Sequence, residues 1–191
     1  MIPFNHLGWA FSRFGSAIYP DTAVAQLCAS LHSLPPDADI LDLGAGTGTL
    51  SNYALGCRND LRAVAADPAE GMLRYIPDTV ERVIARAEAL PFAADRFDGI
   101  LVGEALHHFS VPEEALDEMA RVLRPGGLLF VYDFDPSTLL GGLLRRAEKL
   151  LGEPGHFYPP QTLASLLRER GFSATVNRYG WRYSLAALLE A

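Results

Sequence analysis

The chain has 191 residues, enough for one domain with a full hydrophobic core. Hydrophobic residues make up 49% of it and charged residues 20%, with a net charge of -7, which argues against a broad phosphate-binding face and hence against a nucleic-acid partner. No apolar run approaches the length of a membrane span, no basic-then-apolar leader opens the sequence, and the two cysteines, Cys28 and Cys57, show neither metal-ligand spacing nor a disulfide framework, so the expectation is a cytoplasmic protein with no metal and no membrane partner.

Residues 1–36 read as an accessory segment. Trp9, Phe11, Phe14 and Tyr19 lack strand alternation. They either pack on the core or form a lid that closes over a ligand, with Tyr19 facing the site. Val24, Leu27, Leu31 and Leu34 fall on one stripe of a helix over 21–34, opened by Pro20 or Asp21 and closed by Pro35-Pro36. A strand over 38–43 follows, and Ile40-Leu41-Asp42-Leu43 runs directly into Gly44-Ala45-Gly46-Thr47-Gly48. A short apolar run broken by alternate glycines predicts a buried strand, a tight turn and a helix, here over 47–56. Glycine lets the backbone come within contact of a ligand, and the first amides of the helix point outward as donors. The spacing is not the dinucleotide fingerprint: counted from Gly44, that pattern needs a glycine where Thr49 stands, which disfavours a nicotinamide dehydrogenase.

A second strand over 61–66 ends at Asp67-Pro68-Ala69-Glu70. Asp67 suits a helix N-cap, with Pro68 at the first helical position. It equally suits a ribose, because an ionised carboxylate at a strand tip accepts from two hydroxyls. A helix over 69–76 stops at Pro77, and strands follow over 80–85 and 98–103. Ser110-Val111-Pro112-Glu113 reads as a capping box opening a helix that Pro125-Gly126-Gly127 ends. A fifth strand covers 128–134. In 137–157 a leucine stripe predicts a helix that either faces the core or caps a substrate pocket. A helix over 161–170 and strands over 172–176 and 181–189, joined by a turn at 177–180, complete the chain.

The alternation of strands and helices predicts an α/β fold: a Rossmann-like, doubly wound, mostly parallel seven-stranded sheet with a C-terminal antiparallel hairpin. Within one domain, 1–36 is the lid, 37–136 the cofactor-binding core, 137–158 the cap insertion and 159–191 the final helix and hairpin.

Several motifs fall in an order that resembles the class I S-adenosylmethionine (SAM) methyltransferases, over roughly residues 38–135. These are Ile40 to Gly48, Asp67 with Met72-Leu73, Ala87-Glu88-Ala89-Leu90-Pro91-Phe92, Phe97-Asp98, Leu106-His107-His108-Phe109 and Leu123-Arg124-Pro125-Gly126-Gly127. The nearest look-alikes are the ubiquinone/menaquinone-biosynthesis type. The resemblance implies that Gly44, Ala45 and Gly46 contact the methionine part of SAM and that Asp42 holds its amino group. It implies that Asp67 holds the ribose, that Pro68 lies on the adenine, that the Ala87 backbone and Leu90 meet the adenine edge, and that the Glu104 carbonyl sits beside the methionine amino group. Two residues depart from the family pattern. Arg86 has donors only where an acceptor for the adenine amino group is frequent, so Glu88 substitutes or the contact is main-chain. Glu104 is charged where small or amide residues are frequent, and either helps hold a cation or faces solvent. His107 and His108 are the catalytic candidates should the acceptor need to lose a proton, with Asp133, His156 and Tyr158 near the same strand ends. The expected activity is methyl transfer from SAM, leaving S-adenosylhomocysteine, to an oxygen or carbon of a small molecule. The alternatives are a SAM-binding protein without turnover and a protein or RNA methyltransferase.

Overall fold

The computed structural model describes residues 12–13, 18–152 and 155–190. Trp9, Phe11 and Phe14, named above as lid residues, lie outside them. The elements in chain order are α1 (Asp21–Leu31), β1 (Asp39–Leu43), α2 (Thr49–Cys57), β2 (Arg62–Asp67), α3 (Glu70–Leu73), β3 (Glu81–Ile84) and β4 (Phe97–Gly103). A 3-10 turn at Leu106–His108 leads to α4 (Pro112–Val122), β5 (Leu123–Phe134), α5 (Leu139–Leu150), α6 (Pro160–Arg168), β6 (Phe172–Tyr179) and β7 (Arg182–Leu189).

The strands form one seven-stranded sheet in the order β3-β2-β1-β4-β5-β7-β6. The pairs among β1 to β5 are parallel, and β7 runs antiparallel to both β5 and β6. This is the expected architecture. β1 is buried at every position because both faces of the sheet are covered, so Ile40, Leu41 and Leu43 do not alternate with exposed residues and its acids Asp39 and Asp42 are buried as well. On one face Leu41, Ile100, Val102, Leu129 and Val131 meet Leu116 and Met119 of α4 and Leu163 and Leu167 of α6. On the other, Ile40, Leu101 and Phe130 meet Ala23, Leu27 and Leu31 of α1 and Leu50 of α2.

Several local expectations are corrected. The capping box does not form: Val111 is the N-cap of α4 and contributes no side-chain bond. Ser110 Oγ instead accepts from Arg86 Nη2 at 2.7 Å, and Glu88 Oε1 accepts from the amides of Ser110 (2.7 Å) and Val111 (3.1 Å). The helix start is thus held by an acid 22 residues upstream. Asp67 is not an N-cap either; Ala69 is, and α3 lasts only four residues before i→i+3 bonds from Tyr75 and Ile76 close it. Pro125-Gly126-Gly127 does not precede the fifth strand but bulges within it, between the pairs Phe97–Leu123 and Gly99–Leu128, with Gly126 at φ +79°. The hairpin turn is shorter than expected: Tyr179 pairs with Arg182, leaving Gly180-Trp181 as a two-residue loop with Gly180 at φ +65°.

Two corrections reach further. The leucine stripe of α5 faces outward: Leu139, Leu140, Leu143 and Leu150 are exposed, and the residues of this helix that are buried are Gly141 and Glu148. The cysteines are paired. Cys28 of α1 is bonded to Cys57 at the end of α2, with Cα atoms 5.3 Å apart, so the cysteine argument for a reducing compartment no longer holds. No helix among the described residues is long and apolar enough to cross a membrane.

The bond closes a loop with a sequence separation of 29, and loop-closure entropy puts its contribution at about 3–4 kcal/mol. Urea unfolding with and without reductant checks this. The midpoint is expected to fall on reduction and to fall no further in a Cys28→Ser, Cys57→Ser double variant.

Candidate active site

In a doubly wound sheet, ligands bind beyond the carboxyl ends of the strands, where the strand order reverses. Here that point lies between β1 and β4, with the glycine turn directly above it. The amides of Gly44 and Ala45 both donate to the Ala66 carbonyl, at 2.8 and 3.1 Å, folding the turn back over the end of β2. Gly44 sits at φ +68°, and a Cβ there would come within 2.5 Å of Ala105 Cβ. A side chain is therefore excluded both by the backbone conformation and by the turn after β4.

Asp67 ties this turn to its neighbour. Its Oδ2 accepts from the Gly46 amide at 2.9 Å and its Oδ1 from the Ala69 amide at 2.7 Å. Burial raises its pKa, and the two amides offset part of the rise. An ionised carboxylate offers about four acceptor positions, so two remain for a ligand. Pro68 is exposed beside it, and Ala87 and Leu90 are buried in the loop after β3. Glu88 is on that loop as well, but its oxygens serve Ser110, Val111 and Arg86. These contacts give Glu88 a structural role at the start of α4.

Asp42 lies in β1 beneath the turn and is 1% exposed. Its Oδ2 accepts from the amide (2.9 Å) and the hydroxyl (2.7 Å) of Ser51 in α2. Burial pushes its pKa up to about 6 against the pull of those two bonds, with Asp67 adding to the rise. Ser51 was not among the expected site residues. The sequence signal for it is a polar residue on the inward face of α2, where Leu50 and Ala54 are also buried.

Glu104 ends β4 in the left-handed region, at φ +49°, and its amide donates to the Tyr132 carbonyl at 2.7 Å. Its carboxylate is largely buried and does not stand alone to receive a cation: Arg182 Nε of β7 donates to Oε1 at 2.9 Å. Burial raises the Glu104 pKa to about 7, with Arg182 opposing. Tyr19 joins this group. Its ring lies 4.7 Å from that of Tyr132 and 5.8 Å from that of Tyr53, and its hydroxyl lies over Gly103, where a Cβ would approach it to 2.2 Å. Burial, with Glu104 and Asp42 next, raises its pKa well above the usual range.

His107 and His108 follow in the turn after β4, and His107 is 1% exposed. Its Nδ1 is 2.7 Å from Asp133 Oδ1 at the end of β5, its Nε2 is 3.7 Å from Glu148 Oε2 of α5, and its ring stacks on Phe157 at 4.4 Å. Burial disfavours its charged form, but Asp133 and Glu148 together outweigh burial and raise its pKa. Burial, with His107 beside it, lowers that of His108 to about 3. Next to the Tyr19–Tyr132 pair opens a cavity of about 600 Å³, lined by Ile18, Pro20, Thr22, Tyr132, Arg178, Tyr179 and Arg182. It is bounded by the start of α1 and by β5 to β7, and no described residue of the expected cap, 137–158, is among its lining.

A glycine turn at the switch point, an acid at the tip of the neighbouring strand and a β7 antiparallel to β5 define a Rossmann-like SAM-dependent methyltransferase. The methyltransferase-domain family matches residues 41–131. The chain is 33% identical to the malonyl-[acyl-carrier protein] O-methyltransferase of Methylococcus capsulatus, over 95% of this chain and 74% of that protein. It is also 33% identical to the demethylmenaquinone methyltransferase of Clavibacter sepedonicus, over 92% of this chain and 82% of that protein. A SAM-dependent methyltransferase structure from Thermotoga maritima shares the fold at a TM-score of 0.72 and 20% identity, covering 97% of this chain and 100% of that one. The chain belongs to the class I SAM-dependent methyltransferases, and its cofactor is S-adenosylmethionine.

The buried Asp42 makes the ligand-free chain sensitive to pH. Its pKa is raised on folding, so its favourable contribution is complete below about pH 4 and is lost as pH rises through about 6. The loss amounts to up to about 3 kcal/mol. Asp42→Asn keeps an acceptor for Ser51 and removes the ionisation. Relative to wild type it is expected to gain stability between about pH 5 and about pH 8, read from urea midpoints at the two values. Parallel pH profiles would exclude Asp42 as the source.

Proposed function

We propose that this methyltransferase acts on a small, planar, largely apolar acceptor of phenolic or quinone-like character. The observation that carries the reading is the cavity of about 600 Å³ beside the Tyr19–Tyr132 pair. Its size suits a small molecule. Its Tyr132 and Tyr179 rings supply faces for a planar group, and its two arginines are already matched, Arg178 by Asp135 and Arg182 by Glu104. An acceptor there need not be an anion. The net charge of -7 and the absence of a basic groove among the described residues weigh against RNA.

In this reading Asp67 accepts from the ribose hydroxyls through its two remaining positions, and Pro68, Ala87 and Leu90 border the adenine. Asp42 and the Glu104 carbonyl face the methionine amino group, Gly44, Ala45 and Gly46 border the methionine chain, and Tyr19 closes over it. SAM, when bound, supplies the electrophilic methyl. The chain's own work is alignment: in-line displacement at a sulfonium gains most from holding nucleophile, methyl and sulfur on one axis. His107, with its ring nitrogens turned to Asp133 and Glu148, buttresses the turn beside Gly44 rather than taking a proton from the acceptor.

Calorimetry with SAM and with S-adenosylhomocysteine tests the cofactor assignments. Asp67→Ala is expected to weaken both at least ~10-fold, since it removes charge-assisted bonds and the Gly46 anchor together. Equal affinity in the variant would remove the ribose role. SAM consumption against a panel of phenols and quinols is expected to show turnover with at least one of them. Binding without turnover on any would favour a SAM-binding protein.

A further inference from the structure

We propose a second site in this chain, for one divalent transition-metal ion of the zinc class, bound by His107, His108 and Glu148. Each of the three offers a ligand atom, and these atoms all lie within 4.8 Å of one another. His107 Nε2 lies 3.7 Å from Glu148 Oε2. Ligand atoms around tetrahedral zinc, at about 2.0–2.1 Å from the ion, lie about 3.3 Å apart. Small side-chain rotations close the remaining distance. Two imidazoles and a carboxylate are a donor set for zinc or iron(II), whereas calcium and magnesium ask for oxygen alone. Three protein ligands leave a further position open.

Two other observations point to the same ion. His107 Nδ1 is already engaged by Asp133 Oδ1 at 2.7 Å, and that oxygen also accepts from the Phe134 amide. This is the outer carboxylate that fixes the tautomer and aim of a ligating histidine, leaving Nε2 to the metal. The second observation is α5 itself. It exposes four of its five leucines and buries Gly141 and one acid, Glu148. Apolar packing does not explain why this helix buries an acid, and the burial is accounted for when that carboxylate is a ligand. The ion would join α5 to the ends of β4 and β5, independently of which acceptor is methylated.

The test uses the whole chain, stripped with chelator and titrated with Zn²⁺ against a chromophoric competitor, with Mg²⁺ and Ca²⁺ as controls. One zinc per chain is expected, with neither control competing. Glu148→Gln and His108→Gln are each expected to weaken zinc at least ~10-fold, and Asp133→Asn by ~10–100-fold. Zinc is also expected to slow hydrogen exchange of α5 in wild type and not in Glu148→Gln. Cobalt(II) d–d bands in the unsubstituted chain give a readout that needs no variant to fold. No retained zinc, featureless cobalt spectra, or zinc uptake that either ligand variant fails to weaken would overturn the site.

Discussion

The cofactor crevice depends on one interaction, the bond from the Gly46 amide to Asp67 Oδ2. A glycine turn is permissive by nature, and permissiveness alone does not make a site. What fixes this turn is a buried anion on the neighbouring strand, itself held by a second amide at Ala69. The carboxylate is expensive to bury, and the two amides lower that cost only in this one arrangement. Turn and strand tip therefore move as a unit. The Gly44 and Ala45 bonds to the Ala66 carbonyl add to the same clamp from the backbone side.

Around that clamp the strand ends carry an excess of acid. Asp42, Asp67 and Glu104 stand at the tips of adjacent strands, each with its pKa raised by burial. Without a cationic ligand the crevice tends to hold protons. In the proposed reading, a sulfonium with an ammonium group draws Asp42 and Asp67 into their ionised forms, and the attraction is strong because the surroundings are dry. Methyl transfer removes the positive charge from sulfur. The same electrostatics that favour the substrate therefore favour it over its product.

How much of this was legible follows from how far each interaction reaches along the chain. β1 and its glycine turn were readable because burial on both faces and the change of backbone conformation are written in nine consecutive residues, Ile40 to Gly48. The parallel sheet was readable from the alternation of strands and helices. Roles set by distant partners were not. Ser110 has the spacing of a capping box, but Arg86 and Glu88 reach it first. Glu104 looked like a cation's partner or a surface acid until β7, 78 residues later, brought Arg182 to it. Nothing in the spacing of Cys28 and Cys57 announces that α1 and α2 lie side by side. The stripe of α5 misled for the opposite reason: its periodicity is real, but the helix docks through the other face.

The closing hairpin belongs to the site as much as to the sheet. Its two-residue turn sets the register that places Arg182 opposite Phe134, where the guanidinium lies 4.9 Å from the Phe134 ring and 4.2 Å from that of Trp181. It packs against this aromatic pair, whose rings stack on each other at 5.1 Å, and its Nε reaches Glu104. Glu104 in turn keeps a left-handed backbone conformation that few non-glycine residues adopt, and its amide bond to Tyr132 helps hold it there. The Arg182–Glu104 pair thus stands between the acidic crevice and the cavity beside Tyr132, with one member on each side. A hairpin with the four-residue turn expected from sequence would shift this register and carry the arginine away from β4. The antiparallel strand that ends the fold is accordingly the element that brings an arginine to the end of β4.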